Sequence, residues 1–406
     1  MTHDTSPHGT SSHNAAEPRR IYLDNAATSW PKPEGVYQAV EDYLRNVGAP
    51  AGRGGYAEAI EVGSLVADTR RQIARLLGVD DPRRVIFGLN GTDALNLAIH
   101  GLLADGDHVV TTDVEHNSVL RPLAAWEHAG RITVTRVPCD DRGVVDPDAI
   151  GQALKKKTRL LAVSHASNVT GALQDVAAIA HMAHEAGALV LCDAAQTVGH
   201  VEVDMAALGV DLLAASGHKG LLGPLGTGVL ALAGHVPPQL ASVRQGGTGT
   251  ESESETQPDA LPSKYEAGNL NVAGIVGLRA GVAYLAERGI AKVARHGQQL
   301  TELLLTGLAE ISAVRVVGLR EAGARVPLVS IVVEGYDPQE MALALDASHR
   351  VQVRAGLHCA ARVHERLGTL AGGGTVRFSL GPFTTVEDIE TACRAVAELA
   401  ASPMTH

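Results

Sequence analysis

The stretch Leu212-Leu213-Ala214-Ala215-Ser216-Gly217-His218-Lys219 decides the fold. Four apolar residues run straight into a polar tetrapeptide, and glycines (Gly220, Gly223, Gly226, Gly228) crowd the segment beyond it. An earlier stretch has the same build: Ala188-Leu189-Val190-Leu191-Cys192 leads into Asp193-Ala194-Ala195-Gln196. Both read as buried strands ending in polar residues. In an open α/β sheet, ligands bind at the carboxyl ends of the strands, so Asp193 and Lys219 are delivered to the place where a ligand would sit.

Outward from these two strands the chain alternates. Helical spacing from Ile60 to Leu76 stops at Gly78, Val85-Ile86-Phe87 is strand-like, and a helix opens after Asn90-Gly91. Strand His108–Thr111, a helix around Leu120–His128 and strand Ile132–Val137 come next. Asp146-Pro147 starts the next helix as N-cap and first-turn proline. Strand Leu160–Ser164 and helix Val176–Ala186, closed by Gly187, complete the approach to Asp193. Such alternation implies a mostly parallel sheet covered on both faces by helices. The segment Gln245–Pro262 breaks the rhythm and reads as a long exposed acidic loop. After helices at about Val272–Glu287 and Ile290–Ile311, strands near Val314, Val329 and Val376 and helices after Pro338 and Val386 read as a smaller α+β domain. The expected organisation is a tail over 1–19, a large domain over 20–288, a small C-terminal domain over 289–401 and a tail over 402–406.

A chain of 406 residues is long enough for two domains and a large apolar core. A net charge of −11 argues against a nucleic-acid binder. The longest basic run, Lys155-Lys156-Lys157, is expected to end a helix, where cations complement the dipole. Four scattered cysteines (Cys139, Cys192, Cys359, Cys393) suggest neither a zinc site nor a disulfide framework, and fit a reducing cytoplasm. Residues 1–19 carry no apolar stretch and read as neither a signal peptide nor a membrane span. The histidines there (His3, His8, His13) are read as solvated filler rather than metal ligands.

A carboxylate and a lysine, each delivered at the end of an apolar strand, suit pyridoxal phosphate, which needs a Lys for its Schiff base and an acidic partner for its ring nitrogen. A nearby carboxylate keeps that nitrogen protonated, and a released neutral lysine can move a Cα proton. Gly91-Thr92 at a helix start offers N–H groups to a phosphate, although a plain helix N-cap by Thr92 is the better reading of this segment taken alone. His116, after a strand, could stack on the ring, act as an acid or be a satisfied loop histidine. Asn168 and Gln196 could reach the ring hydroxyl. Cys359, with His358 adjacent and Arg354 five residues back, has electropositive neighbours that favour a thiolate. Arg377 lies in an otherwise apolar strand and needs an anion, either a structural carboxylate or that of a substrate.

These residues in this order resemble the class V aminotransferase family, which has the pyridoxal-phosphate-dependent transferase fold type I. Within it the chain is similar to cysteine desulfurases bearing an R-x-G-x-H-C-A signature, here Arg354-Ala355-Gly356-Leu357-His358-Cys359-Ala360. The opening Tyr22-Leu23-Asp24-Asn25-Ala26-Ala27-Thr28 matches too, and the likeness runs from about Ile21 to Leu399. The resemblance implies a desulfurase that converts L-cysteine to L-alanine. Lys219 would bear the cofactor, Asp193 pair with its ring nitrogen, and His116 stack on the ring. Asn168 and Gln196 would address the hydroxyl side, and Gly91, Thr92, Ser216 and His218 the phosphate. Arg377, with Arg354 and Asn168, would hold the substrate, and Cys359 would accept its sulfur. A homodimer and a sulfur-acceptor protein are implied partners, with no nucleic acid, membrane or metal. The chain departs from the family at Asn90, at the length of the loop over 246–262, and at Asn269. There the family often has a threonine that reaches the neighbouring subunit's phosphate. A selenocysteine lyase, another class V lyase or epimerase, and a non-catalytic scaffold are the alternative readings.

Overall fold

The computed structural model describes residues 19–52 and 54–401. The expected tails, with His3, His8 and His13, lie outside the described residues except for Arg19.

Among the described residues thirteen strands form three sheets. In chain order they are β1 (Ile21–Tyr22), β2 (Val85–Gly88), β3 (His108–Thr112), β4 (Thr133–Val137), β5 (Thr158–Ser164) and β6 (Leu189–Asp193). They continue as β7 (Leu212–Ser216), β8 (Gly228–Leu232), β9 (Val314–Val317), β10 (Leu328–Val333), β11 (Val351–Gln352), β12 (Arg354–Gly356) and β13 (Thr375–Ser379). The large sheet has the order β2-β8-β7-β6-β5-β3-β4. Strands β4, β3, β5, β6 and β7 pair in parallel. The inserted β8 runs antiparallel to both β7 and β2, so the two reversals leave β2 pointing the same way as β7. The carboxyl ends of β2, β3, β5, β6 and β7 therefore share one edge, and the strand order reverses between β3 and β5. The glycine-rich run after Lys219 gives no clear strand signal, and β8 is not anticipated by the sequence.

The strands of this sheet read as continuous apolar runs because both faces are buried. Alternate residues point to opposite faces. Val110, Val163, Val190 and Leu213 enter one core, while Val109, Ala162, Leu191 and Leu212 enter the other. A third core lies under the antiparallel sheet β12-β13-β10-β9, filled by Val329, Ile331, Val376 and Phe378 with Leu304, Leu345 and Ile389 from its helices. The N-terminal Ile21 and Leu23 also insert there, carried by the parallel pairing of β1 with β11. The sequence-read helices form with their expected caps: Asp146 and Asp337 each accept an N–H two residues on, with proline at the first helical position.

The lysine run is a correction. The helix before it ends at Ala153, and Lys155–Lys157 lie past its cap in the turn into β5. The loop over 246–262 forms no helix or strand and is mostly exposed, as expected. Among the described residues no helix is long and apolar enough to cross a membrane, and no His, Cys, Asp or Glu cluster could hold a metal ion.

Candidate active site

The shared strand edge opens into a small pocket. Each wall is contributed by a segment leaving a strand. The helix Gly91–Leu102 after β2 brings Gly91 and Thr92, and β3 leads to His116 and Ser118. Strand β5 supplies Ser164 and leads to Asn168, β6 ends in Asp193 with Gln196 beyond it, and β7 ends in Ser216 with Lys219 three residues later. Eight of the residues singled out from sequence thus meet in one cavity.

Lys219 has its ammonium pushed down to about 8, first by burial and then by Arg377 and Arg354, against the opposing pull of Asp193. Asp193 is 8% exposed, accepts the Ala195 N–H at 3.0 Å, and has its carboxyl raised by burial, an effect that Lys219 counters. An amine and an acid that each lose stabilising water and lean on each other are poised for proton traffic.

His116 caps the helix Asn117–His128: its Nδ1 accepts the Ser118 N–H at 3.0 Å. That assigns the ring proton to Nε2. Burial and the Lys219 cation push its pKa to about 4, so the ring is neutral at neutral pH. Ser118 Oγ lies 2.8 Å from His116 Nδ1 and 2.7 Å from Thr92 Oγ1, joining three pocket residues in one chain. Ser118 and Ser164 are not among the sequence candidates. Their signals are a hydroxyl in the first turn of a helix and a serine ending an apolar run. Glu115 lies behind Ser164, wholly buried and raised to about 7 by burial, and accepts from Ser164 Oγ at 2.7 Å and N at 3.0 Å.

Features able to hold a phosphate line the pocket at Gly91, Thr92 and Ser216. The first N–H groups of a helix have no intrahelical acceptor, and the helix starting at Gly91 brings Gly91 and Thr92 to the pocket, while the Asn90 cap accepts the Asp93 N–H. A Cβ on Gly91 would come 2.5 Å from Ser216 Oγ, so only glycine lets the helix start approach that hydroxyl. His218 is not among the residues lining the cavity. Its carbonyl accepts from Ser29 N at 2.9 Å and Lys32 Nζ at 3.0 Å, and its Nδ1 has no partner among the described residues.

A second group of residues arrives from the small sheet. Arg377, 1% exposed, donates to the Asn168 carbonyl at 3.0 Å and to Asp24 Oδ1 at 3.1 Å, while its Nε has no partner among the described residues. The structural carboxylate left open by the sequence is therefore Asp24. Burial lowers the Arg377 pKa to about 10. Arg354 sits directly across from it in the β12–β13 register and places a guanidinium nitrogen 4.0 Å from Cys359 Sγ. Cys359 is exposed and free, with φ of 60°, and follows His358 at φ 49°. Asn117 N donates to the Cys359 carbonyl at 2.8 Å, and Asn168 Nδ2 to the His358 carbonyl at 2.6 Å. The segments carrying His116 and Asn168 thereby hold the cysteine against the large sheet.

One expectation changes. His358 supplies no positive charge to Cys359: it is 3% exposed, bonded through Nε2 to Thr375 Oγ1 at 2.9 Å, and driven to about 2 by burial. Asn168 spends its amide on the cysteine loop, leaving the buried Oδ1, without a partner among the described residues, as the atom able to meet a ligand. Gln196 gives its Nε2 to the Ala26 carbonyl at 3.3 Å.

The chain is similar to known proteins in sequence and in fold. The profile of the family Aminotransferase class-V matches residues 21–391. A protein of Methanothermobacter thermautotrophicus named "Probable cysteine desulfurase" is 36% identical over 384 residues, which is 94% of each chain. One of the same name from Pyrococcus abyssi is 34% identical over 397 residues, again 94% of each. Among solved structures, the apo cysteine desulfurase of Thermococcus onnurineus superposes with a TM-score of 0.88 at 32% identity, covering 94% of this chain and 95% of that one. The S-sulfonic acid form of the cysteine desulfurase CsdA of Escherichia coli gives 0.85 at 29% identity, over 95% and 96%.

Proposed function

The chain belongs to the class-V aminotransferase family, and from that premise we propose that it is a pyridoxal-phosphate-dependent cysteine desulfurase. It would convert L-cysteine to L-alanine and take the sulfur onto Cys359 as a persulfide. The observation that carries this reading is the convergence of Lys219 and Asp193 in one pocket with an exposed cysteine fixed beside it.

The residues present fit the cofactor. Lys219 offers an amine for its aldehyde and Asp193 a carboxylate for its ring nitrogen. The orphaned Asn168 Oδ1 offers a buried acceptor, and the helix start at Gly91 with Thr92 and Ser216 offers donors for its phosphate. His116 would lie along the ring, with Gln196 beside Asn168. When bound, pyridoxal phosphate supplies an electron sink for a carbanion at the substrate's Cα.

The chain's own residues do the rest. Arg377 takes the substrate carboxylate, with Asp24 yielding a contact and Arg354 close by. A lysine at about 8 is neutral in a substantial fraction of molecules near neutral pH, so Lys219 accepts the Cα proton. His116, neutral, keeps a proton on Nε2 at the pocket. Cys359 Sγ attacks the substrate sulfur. The bond between that sulfur and the substrate's Cβ breaks with its electron pair left on carbon; protonation of Cβ and return of a proton from Lys219 to Cα give alanine.

Two partners are implied. Trp30, Tyr37, Leu44 and Leu225 are exposed around one apolar groove, and this face is proposed as the contact between two copies of the chain. The exposure of Cys359 leaves its sulfur open to a thiol of an acceptor protein. The four cysteines, all free, suit a reducing cytoplasm.

Replacing Cys359 by serine is the direct test. The variant should keep the bound cofactor's visible absorption yet release no alanine from cysteine. Normal turnover by Cys359→Ser would refute the assignment.

A further inference from the structure

Resting on the desulfurase reading, we propose that Asp113 is a positioning residue for the Cys359 thiol, acting through Arg362 and Arg366. Its carboxylate is 1% exposed and has both oxygens engaged across the molecule: Oδ1 accepts Arg362 Nε at 2.7 Å, and Oδ2 accepts Arg366 Nε at 2.7 Å. A charge so buried needs paired donors. The two arginines are four residues apart, on one face of the helix Ala361–Arg366.

The placement in the chain gives this clamp its meaning. Asp113 stands three residues before His116, just past the end of β3, and Arg362 three residues after Cys359. The clamp therefore joins the segment that delivers the ring-facing histidine to the segment that delivers the thiol. The packing agrees. Ala360 and Val363 enter the same core as Val114 and Val137, although β12, which leads into the cysteine, belongs to the small sheet.

His358 and Cys359 need such support because both have left-handed backbones, φ 49° and 60°. Residues with side chains rarely adopt that conformation, and it persists where the surroundings over-determine it. Two carbonyl contacts, from Asn168 and Asn117, hold the segment before and at the cysteine. The Asp113 clamp and the buried Ala360 and Val363 hold the segment after it. Release of the clamp lets the pair relax and moves Sγ away from the substrate sulfur, leaving Lys219, Asp193 and His116 in place.

The test compares holoenzyme of three forms: unaltered, Asp113→Asn, and the double variant Arg362→Gln with Arg366→Gln. The double variant changes only half-exposed side chains and guards against misfolding of the first. Exchange of the Cα hydrogen of alanine in heavy water needs Lys219 but no thiol. Alanine release from cysteine needs both. The proposal expects normal cofactor absorption, an unchanged exchange rate and an unchanged KM for cysteine in both variants. It expects kcat for alanine release to fall about 100-fold, the cost of misplacing a reacting group by about 1 Å. Undiminished release in the variants overturns it, as does an equal loss of exchange and release. If the unaltered protein exchanges alanine but releases none from cysteine, the desulfurase reading itself fails and the proposal falls with it. That outcome is recognised because it appears without any substitution.

Discussion

Lys219 makes the sharpest quantitative statement in this structure. Its ordinary pKa of 10.5 is brought to about 8, chiefly because burial strips water from the ammonium. At pH 7.5 an ordinary lysine is about 0.1% neutral, whereas one titrating at 8 is about one-quarter neutral, a gain of roughly 200-fold in reactive amine. The rate at which the apoprotein takes up pyridoxal phosphate, followed by visible absorption, should therefore rise with pH to a plateau with a midpoint near 8. Asp193 opposes the shift by favouring the cation, so Asp193→Asn should move the midpoint further down. Linkage fixes another sign. Between about pH 8 and 10.5 the unfolded chain holds a proton that the folded chain has lost, so this lysine makes stability rise with pH across that window. A midpoint near 10.5, or an upward move in Asp193→Asn, would refute the electrostatic argument.

Two further outcomes rest on packing. Gly91→Ala places a Cβ 2.5 Å from Ser216 Oγ and forces that hydroxyl aside. Losing one hydrogen bond to a charged phosphate is worth about 1.5–3 kcal/mol, so the cofactor Kd should rise about 10- to 100-fold with the fold retained; unchanged affinity in an absorption titration would count against the phosphate cradle. Leu225→Asp puts a charge into the apolar groove it shares with Trp30, Tyr37 and Leu44. Sedimentation equilibrium should find two copies of the unaltered chain associated and the variant as a monomer, and an associated variant would remove that face from the contact.

Much of the fold was legible because buried parallel strands leave an unmistakable trace. Leu189–Cys192 and Leu212–Ala215 are apolar at every position since both faces are covered, and the first polar residue marks the ligand edge. Strand β8 escaped because its register against β2 brings Gly88 opposite Gly228, where a Cβ on Gly228 would strike the Asn90 carbonyl at 2.3 Å. That glycine serves a close backbone approach, yet in sequence it looks like a turn.

The site was legible at the level of residue types and less so at the level of contacts. Lys219, Asp193, His116 and Thr92 announced themselves by position after strands or at a helix start. The charge assigned to His358 failed because adjacency to Cys359 says nothing of the burial that neutralises it. The use of Asn168 to tether the cysteine loop, across 190 residues of chain, has no local signal at all. Asp113 is invisible for the same reason: its partners lie 249 and 253 residues away.

If sulfur leaves cysteine for one named thiol, that thiol must carry it before any acceptor does. Peptide mass spectrometry on unreduced holoenzyme, quenched after brief incubation with L-cysteine, reads this transfer without an intermediary. One added sulfur atom is expected on the peptide carrying Cys359, in step with alanine formed, and none on the peptides carrying Cys139, Cys192 or Cys393. Alanine formed in equal amount with Cys359 unmodified throughout the time course would contradict the assignment.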